Sequence, residues 1–259
     1  LASIFMIWTD SLMIGAMMGA TFVGVYKIAV SISSTLGGAI GAINKVVFPV
    51  LVGIEAKEKE SAGDLNKVLK YGSFFAIPAF FGMAFFSTEL ISIFFGQQYI
   101  DAAPALLVLS YLCFDMFFSG ALISYFSAKR MVKIIGYAAV ICAVANIILN
   151  FIFIPVFGIV GAAAVSVFTR VTNLSILLLE GKRKLGLTIS FASLKGPLIC
   201  SILMVLVLAL VKVFITVDNI FLLLALVAFG AIVYLLFEAL IGINIFIFVT
   251  KTLKLLLEK

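Results

Sequence analysis

NIILNFIFIPVFGIVGAAAVSVFT, residues 146–169, carries no charge and has one interruption, the Pro155-to-Gly158 step inside IPVFGIVG (154–161). A helix crosses the apolar core of a bilayer in about 20 residues. The apolar run continues on both sides of this stretch, so it is too long for one crossing. Proline cannot continue the hydrogen-bond ladder and glycine tolerates a reversed backbone, so the chain turns between them. The stretch reads as the end of one membrane helix, about 134–154, and the start of the next, about 159–179.

The same reading extends along the chain. Further spans are expected at about 1–18, 25–52, 68–95, 103–127, 198–217 and 220–248, which makes eight in an all-α, polytopic transmembrane bundle. Leu1 falls inside an apolar run with no basic segment before it, so no signal peptide is read and the chain is expected to begin within a helix. Lys and Arg occupy alternate gaps. Lys57, Lys59, Lys67 and Lys70 mark one gap, and Lys129, Arg130 and Lys133 another; Lys182, Arg183, Lys184 and Lys195 mark a third, and Lys251, Lys254 and Lys259 the tail. The gaps near 19–24, 96–101, 155–158 and 216–219 hold none. Basic residues stay on the cytoplasmic side, so the loops at 55–67, 128–133 and 180–196 and the C-terminus are expected there, in a multi-pass protein of the cell membrane.

Composition agrees. The chain is 64% hydrophobic and 12% charged, whereas soluble domains carry roughly 45–50% apolar and about 25% charged residues. The net charge of +6 therefore reflects loops against an anionic leaflet, and no nucleic-acid partner is expected. There is no His, which removes His-based metal sites and proton relays. Cys113, Cys142 and Cys200 lie in apolar runs and read as inert thiols. No HExxH, GxSxG, P-loop, Cys/His metal spacing or paired DDxxD cluster occurs, and the outer gaps are too short for a catalytic domain, so an enzyme is not expected.

Local signals shape the spans. In FGQQYIDAAP (95–104), Gly96 should end a helix, Asp101 cap the next and Pro104 sit in its first turn. Ser61 and Asp64 suggest a capping box. GAMMG (15–19) and LGGAIGA (36–42) suit close helix packing, with a flexible cavity helix as the other reading. Pro78 should kink its span.

Charges at membrane depth are the functional signal, because each costs roughly 2.5–3.5 kcal/mol at the bilayer centre. Asp10, Asp115, Arg170 and Glu238 lie well inside spans, and Lys27 and Lys45 nearer span ends, where they can snorkel. Two readings stand. Asp10 or Asp115 pairs with Arg170 inside the bundle, or these groups line a water-filled cavity for an anionic substrate or a coupling cation. Asn44, Asn146, Asn150 and Asn173 read as interhelical hydrogen-bonding groups.

Three longer patterns carry a family resemblance. TDSLMIGAMMGATFVGVYKIAVSISS (9–34), with FP at 48–49, is similar to the entry of the second lobe of Wzx-type polysaccharide flippases. These form a branch of the multidrug/oligosaccharidyl-lipid/polysaccharide (MOP) exporter superfamily. IPAFFGMAFFSTELISIFFGQQYIDAAPALLVLSYL (77–112) resembles the next helix pair, and residues 146–169 the following one. The resemblance implies two six-helix lobes alternating access to a central cavity. On that basis residues 1–179 would be the second lobe, and 180–259 a cytoplasmic linker with two additional helices; the N-terminal lobe would lie outside this chain. The implied cargo is a polyprenyl-(pyro)phosphate-linked oligosaccharide for cell-surface polysaccharide synthesis. Lys27, Lys45 and Arg170 would hold its anionic head group, with Asp10 and Asp115 as acidic members of the same substrate-binding cavity. No cofactor or metal is implied beyond H+ or Na+ coupling. A cation-coupled multidrug exporter and a peptidoglycan-precursor flippase are the alternatives; the mixed, partly basic charge set favours a phosphate-bearing cargo over the former.

Overall fold

The computed structural model describes the backbone of residues 2–55, 62–187 and 194–241, and side chains in those ranges except 2–7, 43–55, 62–64, 67 and 241. The side chains of Asn44, Lys45 and Asp64, the residue Ser61 and the tail lysines lie outside the described residues. So do parts of the two long loops.

Every described regular element is helical. They are α1 (Ala2–Met18), α2 (Ala20–Glu55), α3 (Ala62–Phe85), α4 (Ser87–Phe94), a 3-10 turn (Gln97–Ala102), α5 (Ala103–Leu109), α6 (Leu112–Ala128), α7 (Val132–Leu185), α8 (Lys195–Phe214) and α9 (Ile220–Ile241). Helices satisfy all backbone polar groups within the segment, which is what a hydrocarbon surrounding demands. Among the described residues six helices are long and apolar enough to cross a membrane. One of them, α7, runs 54 residues but is non-helical at Gly158 (φ 60°, ψ −140°). It is two arms folded at the position read from the sequence. With that division, and with the 17-residue α1, the described helices supply the eight expected spans of a polytopic bundle.

The turns show why they fall where they do. A side chain on Gly158 would be strained by its positive φ and would press on Met18 Cε at 3.2 Å. Gly19 turns α1 into α2 with φ 98°. In GAMMG, therefore, Gly19 serves as a hinge between helices, and only Gly15 serves packing, 3.3 Å from Val23 Cγ2 as measured to an added Cβ. LGGAIGA does bring helices close: a Cβ on Gly37 would lie 3.0 Å from the Leu112 carbonyl oxygen of α6.

One expectation needs correction. Asp101 does not cap α5. It lies within the 3-10 turn, α5 starts from Ala102 with no side-chain cap, and the Ala103 amide donates to the Ile100 carbonyl. The turn feeds the helix directly, so the backbone satisfies the donor a cap would have served. Pro104 does fall in the first turn. Pro78 lies inside α3, whose helix continues to Phe85, with a break at Phe86, φ −94° and ψ 15°. Proline is tolerated within membrane helices, where neighbours and local adjustment re-satisfy the freed carbonyl.

The chain forms two compact units, Leu1–Ser190 and Phe191–Lys259. In the first, α2 packs on α1, α3, α5 and α6, while α7 packs on α1, α5 and α6. Its core includes Ile14, Tyr26, Ile91, Leu106, Cys113 and Ile154. The described part of the second unit is the packed pair α8 and α9. There Glu238 is buried, and Tyr234 donates to its Oε1 at 3.1 Å.

Candidate functional site

Asp10 is 5% exposed and joins four helical segments. Tyr26 of α2 donates its hydroxyl to Oδ2 at 2.9 Å. Asn150, on the first arm of α7, donates to Oδ1 at 2.7 Å. Ser166, on the second arm, donates to Oδ2. Asn150 also donates to Asn146 Oδ1 at 3.1 Å, while its own Oδ1 is buried with no hydrogen-bond partner among the described residues. The α1–α2 hairpin explains the meeting of Asp10 and Tyr26: they lie nine residues before and seven after Gly19. At a rise of about 1.5 Å per residue both sit roughly 11–14 Å from the turn, about half the depth of a ~30 Å hydrocarbon core.

Asp115 is also buried and joins α6 to α7. It accepts from Ser119, one turn along its own helix, at 2.6 Å and from Arg170 Nη1 at 2.9 Å. This ion pair is uneven: the side chains of Arg170 and Asp115 are 30% and 6% exposed. Asp115 thus engages one of the five guanidinium donors, and the Arg170 side chain is part-exposed. Removing Arg170 would leave a buried carboxylate without its counter-charge, the costly half of breaking such a pair.

The structure therefore resolves which of the two acids meets Arg170: Asp115 does, and Asp10 is held by neutral donors. Asn150 makes the interhelical bond read from the sequence, to Asp10, while Asn146 accepts from Asn150 within the same arm of α7. Lys27 is half-buried on α2, with Nζ 4.5 Å over the Trp8 ring of α1. Lys45 lies on the α2 backbone with its side chain outside the described residues. Tyr26, Ser119, Ser166 and Trp8 were not singled out in the sequence. The hairpin register about Gly19 is the signal that could have found Tyr26 and Trp8.

The accessible face of α2 completes the geometry. Gly24, Ser31, Thr35 and Gly38 are exposed, with the half-buried Lys27 on the same face. This is a face of small and polar residues on a segment apolar enough to cross a membrane. Its exposed atoms suit water better than acyl chains. Among the described residues no cluster of three or more His, Cys, Asp or Glu could hold a metal ion.

Comparison with known proteins fits this geometry. Residues 1–104 match the family described as polysaccharide biosynthesis protein. The probable low-salt glycan biosynthesis flippase Agl15 of Haloferax volcanii is 27% identical over 64% of this chain and 36% of its own length. The probable flippase AglR of the same organism is 28% identical over 60% and 34%. An uncharacterized membrane protein of Methanocaldococcus jannaschii, MJ1068, is 32% identical over 54% and 27%. The matches thus span about a third of the length of these relatives. Among solved structures, the lipid II flippase MurJ in an inward closed conformation superposes with a TM-score of 0.78 at 22% identity, over 95% of this chain and 53% of that one. At that identity the likeness establishes the fold, a MurJ-like helical bundle. The match of residues 1–104 to the polysaccharide biosynthesis protein family and the flippase relatives together make this multi-pass helical chain similar to polysaccharide flippases.

Proposed function

We propose that this chain forms part of a flippase that carries a polyprenyl-(pyro)phosphate-linked oligosaccharide across the cell membrane for surface glycan synthesis. The observation that carries this reading is the polar α2 face with Lys27 at membrane depth. A lysine there is costly against lipid and useful against an anionic head group in water. Arg170 is the second cation. Asp115 holds it, and a part-exposed guanidinium suits phosphate oxygens. We assign Lys45 to the same role from its place on α2. The chain acts with an N-terminal lobe, across a cavity that opens alternately to the two sides. Its C-terminus and Lys/Arg-rich loops are cytoplasmic.

Asp10 takes a different part. Three neutral groups donate to it, and the Asn150 amide oxygen beside it is left over. A buried carboxylate so arranged suits one positive charge, and we assign it to the coupling ion, H+ or Na+. The hydroxyl and amide oxygens around it are hard donors of the kind such an ion takes. A peptidoglycan precursor is also a phosphate-linked lipid sugar, so the roles of Lys27 and Arg170 carry over to that alternative; the MurJ fold supports it, and the glycan-flippase relatives favour the first reading. A multidrug cargo would not need these cations.

Proteoliposomes holding the full-length protein test the proposal. It should speed the inward-to-outward movement of a fluorescent polyprenyl-pyrophosphate glycan, and Lys27→Glu should remove that gain. A rate equal to that of empty liposomes would overturn the assignment.

A further inference from the structure

We propose that Trp8 is the sugar platform of this transporter, stacking the first sugar of the cargo beside the phosphate held by Lys27. The inference deepens the flippase reading and rests on it. Trp8 is the chain's sole tryptophan. Membrane tryptophans concentrate at the two interfaces, where the ring is apolar and the N–H is wet. Trp8 is elsewhere. It lies eleven residues before the Gly19 turn, roughly 16 Å along α1 at about 1.5 Å per residue, near mid-depth. It is nonetheless 57% exposed. A ring at this level serves no interfacial anchoring.

Its neighbour decides which medium it faces. The Lys27 ammonium lies 4.5 Å from the ring centroid, within cation–π range. An ammonium at this depth is costly against acyl chains, so the pair belongs to the aqueous side. Lys27 covers part of the indole and leaves more than half of the residue accessible. Pyranose rings present a face of C–H bonds made electropositive by the ring and hydroxyl oxygens. That face stacks on the negative π face of an aromatic ring. In a lipid-linked glycan the first sugar is bonded directly to phosphate. An indole with an ammonium 4.5 Å over its ring offers a partner to each of those two adjoining groups, the accessible part of the indole to the sugar and the cation to the phosphate. The polar neighbours of Lys27 along α2, Gly24 and Ser31, are exposed and small, which leaves room for the sugar.

Calorimetric binding to the full-length protein in nanodiscs tests the assignment with two probes, farnesyl pyrophosphate and the same lipid carrying N-acetylglucosamine. Trp8→Leu should weaken the sugar-bearing probe by about three- to tenfold while leaving the bare pyrophosphate within about twofold. Trp8→Tyr keeps a π face and should hold both probes within about twofold of wild type. Lys27→Gln should weaken both. If Trp8→Leu weakens both probes alike, Trp8 merely supports Lys27 and the platform is overturned; so too if neither probe changes, or if Lys27→Gln binds both as wild type does. If the wild-type protein binds neither probe, the flippase reading fails and this inference falls with it.

Discussion

Two exposed faces of the first unit contrast. On α2, Gly24, Lys27, Ser31, Thr35 and Gly38 face outward. On the first arm of α7, the outward residues are Val144, Ile147, Ile148, Phe151 and Ile152, each 49–68% exposed. Both faces belong to segments apolar enough to span a bilayer. Exposure alone would treat them alike. Their chemistry separates them: the α7 face has only methyl, methylene and ring atoms to offer lipid, while the α2 face offers hydroxyls, bare backbone and an ammonium. In a membrane protein an exposed polar face is either wet or covered, and here it carries the proposed cargo site.

The largest effect should come from reversing the cation paired with Asp115. Arg170→Glu sets a second carboxylate against buried Asp115 and should abolish glycan export. Arg170→Lys keeps the charge without the bidentate fork, and partial export should survive. The charge-swapped double variant, Asp115→Arg with Arg170→Asp, separates structure from cargo binding. We expect it to restore expression while leaving export lost; full export would make Arg170 a purely structural partner.

Next in size is Asp10→Ala. It strips the acceptor from Tyr26, Asn150 and Ser166 at once. Buried donors left unpaired cost about 1–3 kcal/mol each, and with relaxation we expect about 3 kcal/mol of lost stability in thermal unfolding. Asp10→Asn retains an acceptor oxygen and loses the charge. It should cost less stability yet remove ion-dependent transport. Transport that keeps its ion dependence in Asp10→Asn would take the coupling role from Asp10.

The smallest effects fall on the two faces themselves. Ile148→Leu on α7 should change stability by no more than about 0.5 kcal/mol and leave export intact. Ser31→Leu is as mild for the fold, since Ser31 is exposed, but should slow export severalfold by crowding Lys27. Equal export by the two variants would erase the functional difference between the faces.

Much of this was legible in the chain. Spans follow from apolar length and from the alternation of Lys and Arg, and the α7 fold from Pro155 and Gly158. The charged members of the site announced themselves by depth. Their partners did not. Asp115 and Arg170 are 55 residues apart, and Asp10 meets Asn150 and Ser166 across 140 and 156 residues. Such pairings depend on the rotation and register of packed helices, which no local pattern encodes. Asp101 misled for a related reason: cap residues matter where a helix starts from loop, and here a 3-10 turn precedes it.

Cysteine accessibility tests the central claim, that the α2 face meets water and the α7 face meets lipid. Cys113, Cys142 and Cys200 are all buried and can be replaced by Ala to give a silent background. Ser31→Cys and Ile148→Cys are then compared in the full-length protein in membranes with a charged, water-soluble maleimide. We predict labelling at position 31, slowed by a polyprenyl-pyrophosphate glycan, and none at 148. Labelling at 148 with none at 31 would contradict the account.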